Sequence, residues 1–327
     1  MKQTLIIGVD VSKAFLDCFL KPVNLCFRIS NDASGFKKLL KVIRSHCTAD
    51  TEILVVMEHT GLYSCRFEGF LQQNALSYCK LPALEIKRSI GMTRGKHDQL
   101  DAERIAQYAW LRRDILQADQ YPQQAITKLR LLLTFRQKLT RDKVGYQCRL
   151  KELLNSGVFL KDDPIVKQHK DLIETLQKNI REVELQIRQL IKSEAPLQKT
   201  FDLLTGIKGV GPIIAAAMIA YTDNFTKFSA ARKFNCYAGL APFKHQSGRS
   251  IHKKDQVSPL ANKTIKALIG NGASSAIQHN AELKNYYYKR LAEGKPRASC
   301  KNMIKAKLVA RMFAVVKRQS PYQPVAA

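Results

Sequence analysis

The sequence predicts an α/β domain, then long amphipathic helices, then a mainly helical basic domain. Short apolar, β-branched segments alternate with helical patterns up to about residue 118. Apolar residues then follow the helical period, without interruption from Ile173 to Leu190, and the last third of the chain carries most of the net positive charge. We therefore divide the sequence into residues 1–118, 119–200 and 201–327.

The first segment contains the strand and helix signals in turn. Thr4–Leu20 is apolar with a turn-like middle, and "NLCFRISND" follows, which predicts successive antiparallel strands. "ASGFKKLLKVIRSH" has the apolar spacing of a helix, and Glu52–Gly61 is a buried strand that ends in a charged residue. A helix through Phe67 and Phe70 and a short strand in "SYCKLPA" complete the predicted α/β domain.

The middle segment predicts a helical hairpin or coiled coil over residues 122–195. Its clearest signal is a seam with alternating spacings of three and four residues: Ile173, Leu176, Ile180, Val183, Ile187 and Leu190. An earlier stretch has the same period, and Asn155–Pro164 would connect the two helices. Such a seam is typical of self-association, and an internal helical spacer is the alternative interpretation.

The charge of the chain indicates a polyanionic partner. It contains 54 Lys and Arg residues against 27 Asp and Glu residues, a formal net charge of +27. Residues 201–327 hold 21 of the basic residues and 5 of the acidic ones. Nucleic acid is the first candidate for the partner and an acidic membrane surface the second.

Other sequence features narrow the class of protein. The eight cysteines are scattered singly without a CxxC pair, so we expect neither a zinc site nor a disulfide framework. The amino terminus lacks a signal-peptide pattern, and no apolar run is long enough to span a membrane. We therefore expect a cytoplasmic protein with reduced cysteines.

Four carboxylates occur in an order that predicts a metal site. Asp10 lies inside the first strand, Glu58 ends a later strand, and Asp98 and Asp101 lie three residues apart on a helix, hence on one face. A ribonuclease H-like fold brings together carboxylates in this order at one end of its sheet. Such a cluster needs a cation, and oxygen ligands suit Mg²⁺, with Mn²⁺ as the alternative.

A glycine-rich turn in the last segment predicts a phosphate contact. "LLTGIKGVGPIIAAAMIA" fits a helix-hairpin-helix motif, in which Gly209 and Gly211 would let the backbone approach a phosphate closely. The motif reads backbone phosphates rather than base sequence. A tight turn between two packed helices is the structural alternative.

Ser247 lies in a cationic stretch downstream of that motif. Its basic neighbours would favour a phosphate and stabilise a developing anion; they are Lys244, His245, Arg249, His252, Lys253 and Lys254. A serine beside a glycine is usually a turn residue. The local sequence alone leaves both roles open for Ser247, a turn residue or a nucleophile.

Six motifs in order resemble one known family. "GVDVSK", "MEHTG", "KHDQLDA", "GIKGVG", "YAGLAP" and "QSGRS" are similar to motifs of the DEDD transposases of the insertion-sequence family numbered one-ten, the RNA-guided bridge recombinases of bacterial mobile elements. The resemblance spans nearly the whole chain. It implies a RuvC-like amino-terminal domain, a coiled-coil linker and a carboxyl-terminal transposase domain. It also implies that Asp10, Glu58, Asp98 and Asp101 bind metal and that Ser247 is the nucleophile.

The resemblance further implies the partners of the protein. These are donor and target double-stranded DNA, a structured noncoding guide RNA encoded by the element, and other copies of the chain, as a dimer or as a tetramer when donor and target are joined. The protein would then work in the cytoplasm at the nucleoid. The histidines and extra basic residues around Ser247 differ from other members, which leaves the helpers of the serine open.

Three other functions are compatible with parts of the sequence. A Holliday-junction-type nuclease would use the four acids and water, without Ser247. A tyrosine recombinase would use "NYYYKR" (Asn285–Arg290), although we find no matching Arg and His residues around it. A non-catalytic nucleic-acid scaffold would need only the glycine-rich hairpin and the charge.

Overall fold

The protein folds into two compact units. The structure, a computed structural model, describes residues 4–48, 50–89, 98–119, 121, 123–247 and 251–323. The two units are Met1–Tyr121 and Pro122–Ala327. The predicted middle segment therefore belongs to the same compact unit as the carboxyl-terminal third.

The first unit is built on a five-stranded sheet. Its strands are β1 (Thr4–Val11), β2 (Phe15–Lys21), β3 (Leu25–Ser30), β4 (Glu52–Glu58) and β5 (Tyr78–Leu81). Their order across the sheet is β3-β2-β1-β4-β5, in which β1, β2 and β3 are antiparallel while β4 and β5 run parallel to β1. The predicted antiparallel strands are confirmed.

Helices cover both faces of this sheet. They are α1 (Ala33–His46), α2 (Cys65–Gln73), α3 (Ala83–Ser89) and α4 (Asp98–Leu111). On one face, Leu5, Ile7 and Val9 of β1 share a core with α1 and α2. On the other face, Ile6 shares a core with α3 and α4. The alternation along β1 follows from the two-residue period of a strand. Helix α3 was not expected from the sequence, since it is short and buries only Ile86.

The second unit begins with a helical hairpin. Its helices are α5 (Gln124–Asn155) and α6 (Pro164–Lys192), so their connection lies where the sequence predicted it. Side-chain pairs show that the helices are antiparallel. Arg136 Nε donates to Glu184 Oε1 over 2.7 Å, and Lys143 Nζ donates to Gln177 Oε1 over 2.7 Å.

The apolar seam of α6 is partly covered within the chain. Ile180, Val183 and Ile187 are buried, in one core with Leu129 and Leu133 of α5. This core continues through the helices that follow in the second unit. Self-association of the hairpin therefore stays a prediction, and it would need a surface other than these buried residues.

The rest of the second unit is mainly helical, as expected. It contains α7 (Ala195–Thr205), α8 (Pro212–Thr222), α9 (Ala231–Tyr237), β6 (Pro242–Ser247), β7 (Ile251–Val257), α10 (Lys263–His279), α11 (Ala281–Ala292) and α12 (Arg297–Arg318). Strands β6 and β7 form a separate antiparallel hairpin. In the part of the chain that the structure describes, no helix has the length and apolarity required to cross a membrane.

Candidate active site

A glycine in β1 sets the position of the helix that carries two of the predicted acids. A Cβ placed on Gly8 would lie 2.4 Å from both the Ala102 carbonyl oxygen and the Ala106 amide nitrogen. Only glycine leaves room for the backbone of α4 to lie directly on β1 at this point. Asp10 follows two residues later on the same face of the strand, and Asp101 is the residue before Ala102.

Glu58 lies at the same edge of the sheet as Asp10. Strands β1 and β4 are parallel, and their register pairs Gly8 with Val56 and Val9 with Met57. Glu58, the last residue of β4, therefore follows two residues after Val56, as Asp10 follows two residues after Gly8. Because paired residues of parallel strands share a face, both acids belong to the face that α4 covers.

The carboxylates of Glu58 and Asp101 interact electrostatically. Burial raises the pKa of Glu58, the negative charge of Asp101 raises it further, and Lys87 opposes this effect. Asp101 also accepts a hydrogen bond from Arg104 Nη1 over 2.9 Å. The mutual repulsion of the two acids is the kind of interaction that a bound cation would reverse.

The structure thus brings together part of the predicted acidic set. Asp98 is the first residue of α4, one turn before Asp101, but its side chain lies outside the described residues. Among the side chains that the structure describes, no group of three or more His, Cys, Asp or Glu residues is close enough to hold a metal ion. Glu58 and Asp101 interact, and Asp10 lies at the same edge of the sheet.

Further charged residues lie near this edge, among them Asp17, to which the sequence assigned a structural or solvent-exposed role. Asp17, opposite Asp10 in the β1–β2 register, is buried and accepts two hydrogen bonds from Arg28, over 2.8 and 3.0 Å. Arg104 was detectable from its three-residue spacing from Asp101. Lys87 was not, because it lies on a helix that the sequence did not predict.

The predicted nucleophile lies at the end of a strand rather than in a turn. Ser247 is the last residue of β6 and pairs with Ile251, the first residue of β7. Lys244 lies on β6, and Lys253 and Lys254 lie on β7. The side chains of these residues and the whole of Arg249 lie outside the described residues.

The two glycines of the predicted phosphate-binding turn have different surroundings. Gly209 has a φ of 98°, and a Cβ there would lie 2.7 Å from Ala276 Cβ and 2.8 Å from the Gly272 carbonyl oxygen. Close packing against α10 therefore explains why residue 209 is a glycine. Gly211 precedes α8 and has open space around its Cβ position. Both glycines line a surface pocket of about 430 Å³. The predicted phosphate contact stays a prediction.

Two stretches of the chain match known families, and the first of them extends from the first unit through α5. Residues 7–159 match the family of DEDD transposases of the IS110 type. Residues 201–288 match the family described as "Transposase IS116/IS110/IS902 family". The chain carries the two transposase domains of the IS110/IS116 family. The first match includes Asp10, Glu58, Asp98 and Asp101, and the second includes Ser247.

Two relatives of the transposase match nearly its whole length, and a third matches about half of it. The pilin gene-inverting proteins of Moraxella bovis and Moraxella lacunata are each 26% identical over 324 residues, which cover 97% of this chain and 97% of theirs. A probable family 20 transposase of Pseudomonas aeruginosa is 23% identical over 163 residues, covering 49% of this chain and 47% of its own. A transposase of this family is an enzyme that cuts and rejoins DNA, and its DEDD domain indicates use of a divalent metal.

Proposed function

We propose that this transposase cuts and rejoins donor and target DNA through a covalent phosphoserine link, with help from the acidic edge of its first unit. The observation that carries the proposal is the electrostatic interaction of Glu58 with Asp101 at the sheet edge where Asp10 lies. The sheet order, with three antiparallel strands followed by two parallel ones, supports a RuvC-like, ribonuclease H-like assignment for this unit.

The acidic residues fit a divalent cation in donor type and charge. Asp10, Glu58, Asp98 and Asp101 would hold it, and all four offer the hard carboxylate oxygens that Mg²⁺ and Mn²⁺ prefer. When bound, such a cation neutralises charge on phosphate oxygens during strand cleavage. Without it, Glu58 and Asp101 repel each other in a partly buried site. We propose Mg²⁺ as the ion.

Ser247 would be the nucleophile. Its oxygen would bond to the phosphorus of a DNA phosphodiester, the bond from phosphorus to the 3′ oxygen would break, and the proton would pass to that oxygen to give a 3′-hydroxyl. The serine hydroxyl is a weak nucleophile near neutral pH, so it needs a base, for which His245 and His252 are the local candidates. The serine ester retains the energy of the phosphodiester for rejoining to a new strand.

The choice of sequence would come from a guide RNA. This part of the proposal rests on the resemblance of the six sequence motifs, and the net charge of +27 is compatible with an RNA and two DNA duplexes. Base pairing would select the donor and target sites while the protein contacts the nucleic-acid backbone. Joining two DNA sites requires at least two serines, so a dimer or tetramer is expected.

A covalent adduct is the decisive test. Ser247→Ala should give no protein–DNA adduct on a denaturing gel, while Ser229→Ala, at an exposed serine of the same unit, should give the wild-type amount. A full-strength adduct from Ser247→Ala would refute the serine mechanism. Metal-dependent cleavage without any adduct in the wild type would instead identify a nuclease that uses water.

The acidic site is tested separately. Asp98→Asn should abolish strand cleavage while leaving DNA and RNA binding nearly intact, because it removes one ligand and changes little of the net charge. His245→Ala should only slow formation of the adduct. Undiminished cleavage by Asp98→Asn in Mg²⁺ would contradict the assignment of the acids.

A further inference from the structure

Three lysines meet where α10 and α12 pack together. Lys266 lies on α10, and Lys301 and Lys305 lie one turn apart on α12. All three are partly buried. Burial lowers the pKa of Lys305, and the positive charges of Lys266 and Lys301 lower it further. The ammonium group of Lys305 is therefore close enough to those of Lys266 and Lys301 to be repelled by both.

A glycine on α10 makes room for this arrangement. A Cβ placed on Gly270 would lie 3.3 Å from Lys305 Cε and 3.4 Å from Lys305 Nζ. The aliphatic stem of Lys305 thus crosses α10 directly over Gly270, one turn after Lys266. The packing of α12 on α10 therefore brings the ammonium group of Lys305 close to that of Lys266.

Among the side chains that the structure describes, no carboxylate acts on the pKa of Lys305 to offset this effect. Helices α10 and α12 contain neither Asp nor Glu. The carboxyl-terminal third has five acidic residues, of which Asp255 has a side chain outside the described residues. The other four have partners elsewhere: Asp202 with Gln198, Asp223 with Arg130, Glu282 with Arg311 and Glu293 with Arg290.

The lysine cluster lies at the base of the hairpin that carries Ser247. A Cβ placed on Gly239 would lie 3.6 Å from Lys266 Nζ, and the Asn302 amide on α12 donates to the Leu240 carbonyl over 2.7 Å. These residues lead directly into β6. The chain after β7 returns to the same place, since Ala261 contacts the Cβ position of Gly239.

We propose that Lys266, Lys301 and Lys305 form a binding site for a backbone phosphate of duplex DNA at the base of the β6–β7 hairpin. A phosphate would relieve the repulsion between the lysines and accept hydrogen bonds from them. DNA is the partner because the hairpin ends at Ser247; this choice rests on the proposed function. Lys301 and Lys305 lie beyond residue 288, where the second family match ends.

The salt dependence of DNA binding tests this site. The full-length Lys305→Gln variant should bind a short duplex of mixed sequence more weakly, and the slope of log affinity against log salt should fall by about one. Lys301→Gln should behave alike. Lys317→Gln is the control, because it removes the same charge from an exposed position on the same helix; its slope should stay closer to the wild-type value.

Thermal unfolding separates binding from a structural role. Since Lys305 is held among like charges, Lys305→Gln should keep or raise the midpoint of unfolding while it weakens DNA binding. A lowered midpoint together with weakened binding, or a slope equal to that of Lys317→Gln, would overturn the proposal. Weakened binding of a structured RNA with unchanged DNA binding would overturn it as well. If the serine mechanism is wrong, the wild type will form no covalent adduct with DNA. The measured effect of Lys305→Gln on DNA binding does not depend on that result.

Discussion

At the scale of single residues, Glu58 holds a charge that the metal-free fold disfavours. It is partly buried and faces the charge of Asp101. Glu58→Gln should therefore raise the midpoint of thermal unfolding in the absence of divalent ions. Mg²⁺ should stabilise the wild type, by about 2.7 kcal/mol at a hundredfold excess over its Kd, and should stabilise the variant much less. Equal Mg²⁺ shifts in both proteins, measured by calorimetry, would remove Glu58 from the metal site.

Strand and helix periods indicated which sheet edge carries Asp10 and Glu58, but they gave no reason for the glycine at position 209. The order Asp10, Glu58, Asp98 and Asp101 was readable because strand and helix periods fix the faces of local elements. The reason for Gly209 was not readable, since its neighbours Gly272 and Ala276 on α10 are more than sixty residues away. The sequence also gave no sign that Lys266, Lys301 and Lys305 lie close together, because only the packing of α10 and α12 brings them together.

At the scale of elements, α4 depends on close contact with β1. Gly8→Ala would place a methyl group 2.4 Å from backbone atoms of α4, so the helix must move away from the sheet. We expect lower thermal stability, by about 1–3 kcal/mol, together with a smaller Mg²⁺-induced shift. Gly61→Ala provides a control in the same unit that crowds no atom, although its φ of 69° adds backbone strain. An unchanged Mg²⁺ shift in Gly8→Ala would show that the spacing of α4 does not matter for metal binding.

The α5–α6 hairpin permits a matched pair of substitutions. Val183 is buried, whereas Leu185, two residues later on α6, is 56% exposed. Val183→Asp should destabilise the second unit by about 3–5 kcal/mol, because it buries an uncompensated charge. Leu185→Asp should leave unfolding nearly unchanged and, if this face mediates self-association, lower the mass measured by light scattering. An unchanged mass would indicate that this face of the hairpin does not mediate self-association.

The α5–α6 hairpin shows that apolar periodicity predicts which face of a helix is buried, but not what covers it. The seam of α6 predicted an apolar helix face and its partner helix correctly in outline. It could not tell whether that face would be covered by α5 and the core of the same chain or by another copy, since both bury the same residues. The structure places Ile180, Val183 and Ile187 in the core of one chain.

At the scale of the whole molecule, the two sets of proposed catalytic residues lie in different compact units. Asp10 lies in the first unit and Ser247 in the second. Mixing Ser247→Ala with Asp10→Ala protein therefore tests whether one chain must supply both the serine and the acidic site. Restored cleavage would show that different copies can supply them. No restoration, with mixed oligomers confirmed, would show that each chain uses its own.

The length of β6, taken together with the proposed lysine site, predicts a spacing along bound DNA. Five residue steps separate Pro242 from Ser247 at the two ends of β6. A regular strand advances about 3.4 Å per step, so roughly 17 Å is the upper bound, and the irregularity between Phe243 and His245 shortens it. One strand of B-DNA advances about 3.4 Å per nucleotide along the helix axis. Under the proposed function, a duplex lying along β6 would present to the three lysines a phosphate at most about five nucleotides from the bond that Ser247 would attack. Chemical modification of that single phosphate should then impair binding at a constant offset from the cut, whatever the base sequence between them.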